Sequence, residues 1–166
     1  MDTRTALMTR RSVRVYTDKA VSDSDLNAVI EAGIHAPYGR NQLWRFAVIT
    51  DAALISELAG LTIYKKFVST AKALIVVFHD QDLGYHEIKD AQTMGACIQN
   101  MLLTAHDLGL GAVWIGEILK NEDAVRSLCN APASYRLSAV LSIGYPAKEG
   151  VYEERAPLAE VVFFRK

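Results

Sequence analysis

The sequence predicts a single α+β domain, because helical and strand-like segments are interspersed without the regular βαβ alternation of a doubly wound sheet. A length of 166 residues favours one domain spanning residues 1–166. A chain of this size buries roughly 68–70% of its unfolded surface, so a sizeable core is expected. The composition, 51% apolar and 22% charged, is that of an ordinary globular protein and argues against disorder.

Charge and hydropathy exclude several classes of function. The 18 Lys and Arg residues nearly balance the 19 Asp and Glu residues, which leaves a net charge of −1 and argues against a broadly basic nucleic-acid surface. The longest apolar runs, such as residues 73–78, are far shorter than the roughly 20 residues of a membrane span. The N-terminus lacks the apolar core of a secretion signal. We expect a cytoplasmic protein with no nucleic-acid or membrane partner.

Cysteine and histidine spacings predict neither a disulfide framework nor a metal site. Cys97 and Cys129 lie far apart and outside any C-x-x-C pattern. The four histidines show no metal-type spacing: His35, His79, His86 and His106.

The first predicted elements lie between residues 22 and 78. Ser22, with Asp25 three residues later, forms a capping-box pattern, and apolar residues then recur at helical spacing. Pro37 disfavours helical geometry at the preceding residue, so this helix should end before it. Residues 44–50 and 72–78 are short, apolar and β-branched, and they predict two strands.

The longest periodic segment begins near Asp90, and Gly109 suits the position just after its end. We expect this segment to be the central helix. Its apolar stripe contains Ala91, Met94, Ile98, Met101, Leu102, Ala105 and Leu108. Further along, the sequence predicts a strand at 112–115, a short helix capped by Asn121 and a strand at 136–143.

The chain ends in a very apolar segment, residues 160–164, which predicts a short strand. An exposed strand of this kind would present unpaired backbone N–H and C=O groups that favour pairing with another strand. It can pair with the chain's own sheet, or it can add to the sheet of a partner so that two copies exchange tails. The sequence leaves both arrangements open.

Four features could carry chemistry: residues 10–14, residues 36–46, residues 109–116 and Arg155. In an extended backbone Arg10, Ser12 and Arg14 share one face and Arg11 lies on the other. Two guanidinium groups beside a hydroxyl suit the binding of a phosphate. No carboxylate within the motif neutralises their charge. A solvated basic turn is the alternative. Residues 36–46 run from a helix end through a polar loop into a strand. Asn41 and Gln42 in that loop could bind the edge of a heterocycle, or could simply stabilise a turn.

The third motif, residues 109–116, is glycine-rich but has Trp114 where a dinucleotide fingerprint requires glycine, and it follows a helix rather than a strand. A helix cap followed by close backbone approach near Gly116 explains it better. Arg155 follows two glutamates and is either a further phosphate ligand or a neutralised surface arginine. Residues 64–67 and 85–86 could form a lid over a pocket, although plain surface is slightly favoured.

Taken in order, these motifs resemble the nitroreductase family of FMN-dependent oxidoreductases over nearly the whole chain. The matching patterns are R-R-S-x-R-x-F/Y from Arg10, A-P-x-x-x-N-Q-x-W-R-F from Ala36, and Q-N-M-L-L-x-A-x-x-L-G-L-G-x-x-W-I-G from Gln99. A G-Y-P at 144–146 and the late Arg155 complete the set. This chain departs from the pattern at Tyr38, where serine is usual, and at Leu43, where proline is usual, and its loop is one residue shorter.

The resemblance implies a mostly antiparallel sheet flanked by helices, in an intertwined homodimer with FMN at the subunit interface. In family fashion, Arg10, Ser12 and Arg155 match phosphate ligands, and Arg14 matches the basic residue near flavin N1 and O2. The loop of Pro37, Tyr38 and Asn41 matches the one beside the ring, and Ile115–Gly116 matches the backbone near N5 and O4. We therefore expect these cofactor-binding residues: Arg10, Arg11, Ser12, Arg14, Pro37, Tyr38, Asn41, Gln42, Ile115, Gly116 and Arg155.

The resemblance also implies the chemistry. NAD(P)H would pass hydride to flavin N5, and an electrophilic small molecule such as a nitroaromatic or a quinone would then be reduced, so that FMN and not a protein side chain is the catalyst. Two alternatives remain: a non-catalytic flavin-binding protein, and a specialised relative such as a reductive dehalogenase or a ring dehydrogenase.

Overall fold

A four-stranded sheet forms the centre of the computed structural model, which describes residues 1–166. The strands are β1 (Trp44–Ile49), β2 (Ala73–Asp80), β3 (Gly111–Ile115) and β4 (Tyr135–Gly144). They lie in the order β1-β2-β4-β3, and every neighbouring pair is antiparallel. The predicted α+β class is confirmed, and each of these four strands begins and ends within two residues of its expected limits.

Seven helices surround the sheet: α1 (Thr3–Thr9), α2 (Asp23–Ile34), α3 (Ala52–Ala59), α4 (Lys65–Val68), α5 (Glu87–Asp107), α6 (Glu122–Leu128) and α7 (Leu158–Val161). Ser22 caps α2 as predicted, since its side chain accepts a hydrogen bond from the Asp25 N–H at 3.1 Å. Gly109, with φ of 74°, follows the end of α5 in the left-handed conformation that glycine adopts without strain. None of the helices has the length and hydrophobicity needed to span a membrane.

The sheet separates two hydrophobic cores. On one face, α2 and α5 pack against the sheet through residues such as Val29 and Met101. On the other face, α3, α4 and α6 supply Leu58, Val68 and Val125. Alternate residues of β2 enter opposite cores, so both faces of this central strand are buried. Burial on both faces explains why residues 73–78 form an unbroken apolar run.

The C-terminal segment differs from its prediction. Every residue from 151 to 166 is exposed, and residues 160–164 form no strand; a single helical turn, α7, occupies part of the segment instead. Pairing of this segment with the chain's own sheet is therefore wrong. The physical reason is that a strand needs a neighbouring backbone edge, and this segment lies on no edge of its own sheet.

Candidate functional site

The arginine segment, residues 10–14, lies along the start of β3. Ser12 forms a parallel bridge with Ala112, and the Val13 N–H donates to the Ala112 carbonyl at 3.1 Å. Gly111 makes this approach possible, because a Cβ at that position would lie 2.5 Å from Val13 Cγ1. Val13 is buried whereas Arg14 is exposed, so neighbouring side chains point to different environments.

Tyr16 fixes the arginine segment to the sheet. Its hydroxyl lies 2.8 Å from the Val13 carbonyl oxygen and 2.8 Å from Ser142 Oγ on β4. Burial raises the pKa of Tyr16 to about 12, so the hydroxyl remains protonated. This buried hydrogen-bond network holds the segment in one position on the sheet.

Three arginines lie close enough for Arg11 and Arg155 to influence the charge of Arg10, and we call Arg10, Arg11 and Arg155 the arginine cluster. Burial, together with the neighbouring Arg155 and Arg11, lowers the pKa of Arg10. Arg10 and Arg11 form no salt bridge, and Arg155 approaches only the exposed Glu153, at 3.8 Å. Such a concentration of unneutralised positive charge is suited to bind an anion, and arginine matches phosphate in a bidentate geometry.

Aromatic side chains lie next to Arg14. The Arg14 guanidinium carbon is 6.0 Å from the centre of the Phe67 ring, and the Phe67 and Tyr64 rings are 5.4 Å apart. Tyr64 is 42% exposed, so this segment presents an aromatic surface beside a permanent positive charge.

The turn after β3 forms a second part of the site. Ile115 is buried, Gly116 is exposed, and Trp114 is 42% exposed although it lies in a strand. Glu117 joins this turn to the loop before α4, because its carboxylate accepts hydrogen bonds from Thr62 Oγ1 at 2.6 Å and from the Ile63 N–H at 3.2 Å.

Sequence reasoning did not select Trp114 or Glu117. The signal for Trp114 would have been a large aromatic residue on the solvent-facing side of an edge strand.

From Ala112, where the arginine segment joins, to Gly116 the strand extends about 13 Å. A ligand with an anionic group at one end and a planar ring at the other would suit this spacing.

We call residues 37–42 the ring loop. It packs against its own chain: the Tyr38 and Trp44 rings meet edge to face at 5.7 Å, and the Asn41 side chain donates to the Leu83 carbonyl at 2.9 Å. Asn41 therefore uses one amide donor within the protein, while Pro37 and the Gln42 side chain are exposed.

The ring loop and the arginine cluster lie at different edges of the sheet. β1 and β3 are the two outer strands, so about 14 Å separates them. They also use opposite ends of the sheet. The ring loop enters β1 at Trp44, which pairs with His79 near one end of β2. The arginine segment joins β3 at Ala112, whose partner Ile143 pairs with Ala73 at the other end of β2.

The fold and this site define an α+β protein with a cluster of arginines beside an exposed aromatic residue. The family model described as "Nitroreductase family" matches residues 7–63 and 59–145. A candidate NADH dehydrogenase/NAD(P)H nitroreductase of Archaeoglobus fulgidus is 34% identical over 89% of this chain and 87% of its own length. The oxygen-insensitive NADPH nitroreductase of Salmonella typhimurium is 32% identical over 92% of this chain and 69% of its own.

Solved structures agree with these matches. A candidate nitroreductase of Desulfovibrio desulfuricans, solved in complex with FMN, is 43% identical with a TM-score of 0.92, and the match covers 98% of this chain and 96% of that one. The chain belongs to the nitroreductase family.

Proposed function

We propose that this chain is one subunit of a homodimeric FMN-dependent oxidoreductase that takes electrons from NAD(P)H and reduces an electrophilic small molecule such as a nitroaromatic or a quinone. The observation that carries the proposal is the arginine cluster, in which Arg10 and Arg11 form no salt bridge and which lies beside the strand that leads to Gly116. An NAD(P)H-consuming enzyme works where the reduced nucleotide is made, so we place it in the cytoplasm.

The residues present fit FMN. The arginine cluster and Ser12 would hold the phosphate, since a half-buried guanidinium without a counter-ion is stabilised by an anion. The exposed backbone of Gly116, next to the buried Ile115, would face the flavin ring, with Trp114 beside it. When bound, FMN supplies the hydride chemistry, and the protein supplies orientation and electrostatics.

Arg14 would provide electrostatic stabilisation. Its guanidinium is exposed and forms no salt bridge, so its positive charge is available to a group that gains negative charge during the reaction. The Glu117 carboxylate would position the loop before α4 through Thr62 and Ile63. Lys120 and Thr62 hold the pKa of Glu117 below its ordinary value, so it remains an anionic acceptor in this contact.

Two copies of the chain are needed to complete the site. Within one chain the ring loop and the arginine cluster are separated by about 14 Å across the sheet and by about 20 Å along β2. A single flavin therefore does not reach both in one chain. We propose that Pro37, Tyr38, Asn41 and Gln42 of one subunit face the ring of the flavin held by the arginine cluster of the other.

The C-terminal segment would connect the two subunits. Phe163 is 99% exposed and Phe164 is 71% exposed. Exposed apolar surface of this kind is typical of a site that contacts another protein. The outer edge of β1 has no strand neighbour, and Val48 on this strand is 45% exposed. We propose that residues of the tail, from about 155 to 166, exchange between subunits and pair along this edge.

The test uses the purified full-length protein. We expect a visible flavin spectrum, either as isolated or after reconstitution with FMN, which bleaches when NADH or NADPH is added without oxygen and recovers when a quinone is added. A preparation that cannot bind FMN would overturn the proposal. A flavin-loaded protein that NAD(P)H does not bleach would instead indicate a non-catalytic flavin-binding protein.

A further inference from the structure

A cation-rich aromatic surface lies beside the residues of the ring loop that we place against the flavin, and it includes Arg40, a ring-loop residue that is not among the proposed flavin contacts. Tyr85 touches the ring loop so closely that a Cβ on Gly39 would lie 2.3 Å from its hydroxyl oxygen. The Arg40 guanidinium carbon lies 5.8 Å from the centre of the Tyr85 ring, and Lys89 Nζ lies 5.6 Å from it. We call Arg40, Tyr85 and Lys89 the cationic shelf.

The cationic shelf carries positive charge that its own chain does not neutralise. Neither Arg40 nor Lys89 has a carboxylate within salt-bridge distance, and both side chains are exposed. The buried Asp90 carboxylate accepts hydrogen bonds from the backbone N–H groups of residues 85 and 86, and Glu87 lines a different cavity.

Two cations beside one aromatic ring repel each other, and the negative face of the ring offsets only part of that repulsion. An anionic group bound between them would be stabilised by both charges.

A shallow, open cavity of about 440 Å³ adjoins the shelf, large enough in volume for a small molecule but exposed to solvent over much of its surface. Its lining combines ring faces and polar ends: Pro37, Tyr38, Tyr85, Lys89, Gln92 and Thr93. The cavity therefore has room for a single substituted aromatic ring, and it is bounded on one side by the loop that we place against the flavin.

We infer that the cationic shelf selects acceptors that are negatively charged aromatic molecules, with the ring of the acceptor against Tyr85 and its carboxylate between Arg40 and Lys89. The inference rests on the proposed function. For a nitroaromatic acid the reaction balances as one nitro group, one NAD(P)H and one proton giving a nitroso group, one NAD(P)+ and one water. The shelf binds the carboxylate and takes no part in electron transfer.

The experiment compares two acceptors of nearly equal shape, 4-nitrobenzoate and the neutral 4-nitrobenzamide, in the FMN-loaded dimer with saturating NADH. We expect the anion to have the higher kcat/KM. Arg40→Gln and Lys89→Gln should each lower kcat/KM for 4-nitrobenzoate about fivefold, the scale of one exposed ion pair. The double variant should lose the preference, and all three should keep kcat/KM for 4-nitrobenzamide within about twofold of the parent enzyme.

Two controls separate charge from shape. Lys89→Arg retains the positive charge and should keep most of the preference. Arg126→Gln removes a cation on α6, in the opposite layer of the fold, and should change neither acceptor. The visible spectrum of each variant should show unchanged FMN content.

Equal use of the two acceptors by the parent enzyme, or a preference that survives the double variant, would overturn the inference while leaving the proposed function intact. A selective loss of kcat/KM for NADPH relative to NADH, with acceptor preference unchanged, would also overturn it, because the shelf would then bind the nucleotide's phosphate. Failure of the parent enzyme to reduce even the neutral acceptor would count against the proposed function instead.

Discussion

The arginine segment and the ring loop differ in how the fold holds them and in which of their groups lack a partner. The arginine segment is fixed to β3 and β4 by backbone pairing and by Tyr16, and its charges are left without counter-ions. The ring loop lies at the far edge of the sheet, where its polar and aromatic groups contact segment 81–86 of its own chain. The arginine segment is held in place, but its positive charges have no counter-ions. The ring loop makes its contacts within its own chain, but several of its side chains remain exposed.

This difference is the arrangement expected if, as proposed, the site is divided between two subunits. A phosphate needs fixed charge, which one chain can supply by itself. In the proposed site, the strand end at residues 114–116 of one chain and the ring loop of the other would cover the planar ring. The three changes and one titration below test the tail and the arginine segment, beginning with the tail that would link the two regions, and the closing experiment also alters the ring loop.

The largest effect is expected from removal of residues 151–166. The shortened chain should be monomeric and free of FMN, because it loses both Arg155 and the exposed Phe163 and Phe164. Light scattering and the visible spectrum measure the two losses. Both hydrophobic cores lie outside the tail, so the far-UV circular dichroism should keep its helical signal. A truncated protein that remains a flavin-loaded dimer would contradict the exchange of tails.

Replacement of a phosphate ligand should weaken FMN binding strongly. Arg10→Ala should raise the FMN dissociation constant on the order of 10- to 100-fold, because a hydrogen bond to a charged group contributes about 1.5–3 kcal/mol. Fluorescence titration of the apoprotein measures this, and Arg126→Ala is the control on the opposite layer. Unchanged affinity in Arg10→Ala would remove Arg10 from the phosphate site.

Arg14→Ala should show the reverse pattern. FMN affinity should change little, whereas reduction by NADH should slow about tenfold, since an electrostatic group of this kind stabilises charge that develops during the reaction. Stopped-flow absorbance of the FMN-loaded variant measures the rate. A reduction rate equal to that of the parent enzyme would contradict the role assigned to Arg14.

The smallest effect concerns His106, whose Nε2 lies 2.8 Å from Thr9 Oγ1. Burial, followed by the positive charge of Arg10, lowers the pKa of His106 below its ordinary value of 6.5. The neutral ring is therefore favoured in the folded state, and its contribution to stability is present above about pH 6.5 and is lost as the pH falls through the lowered pKa.

A bound phosphate would offset the arginine charge and should raise the pKa of His106. An NMR titration of the ring protons with and without FMN measures the shift. A pKa that falls or stays constant on loading would place the phosphate elsewhere.

Much of the fold could be predicted because its signals are local. The apolar run at 73–78 reflects burial on both faces of β2, and Gly109 ends α5 where the stripe ends. The tail could not be predicted, because an apolar, β-branched segment becomes a strand only where a partner edge exists. α1 was missed because a seven-residue helix at the surface buries only Ala6 and shows no apolar stripe.

The arginine motif could be recognised because its residues are contiguous. The cationic shelf could not, since Arg40 and Lys89 lie in different elements and approach the same ring only when Tyr85 packs against the ring loop. Trp114 was interpreted as a break in a glycine pattern, and its exposure depends on which elements cover its face of the sheet, which the local sequence does not show.

Complementation between two defective subunits tests the divided site most directly. One subunit carries Arg10→Ala and the other carries Tyr38→Ala with Asn41→Ala, each expected to bind FMN poorly as a homodimer. If each site combines the arginine cluster of one chain with the ring loop of the other, the purified heterodimer contains one intact site and one doubly altered site. We predict that the heterodimer regains about half of the parent's FMN content and NAD(P)H-dependent bleaching. A heterodimer that stays as empty as both homodimers would show that each chain builds its site alone.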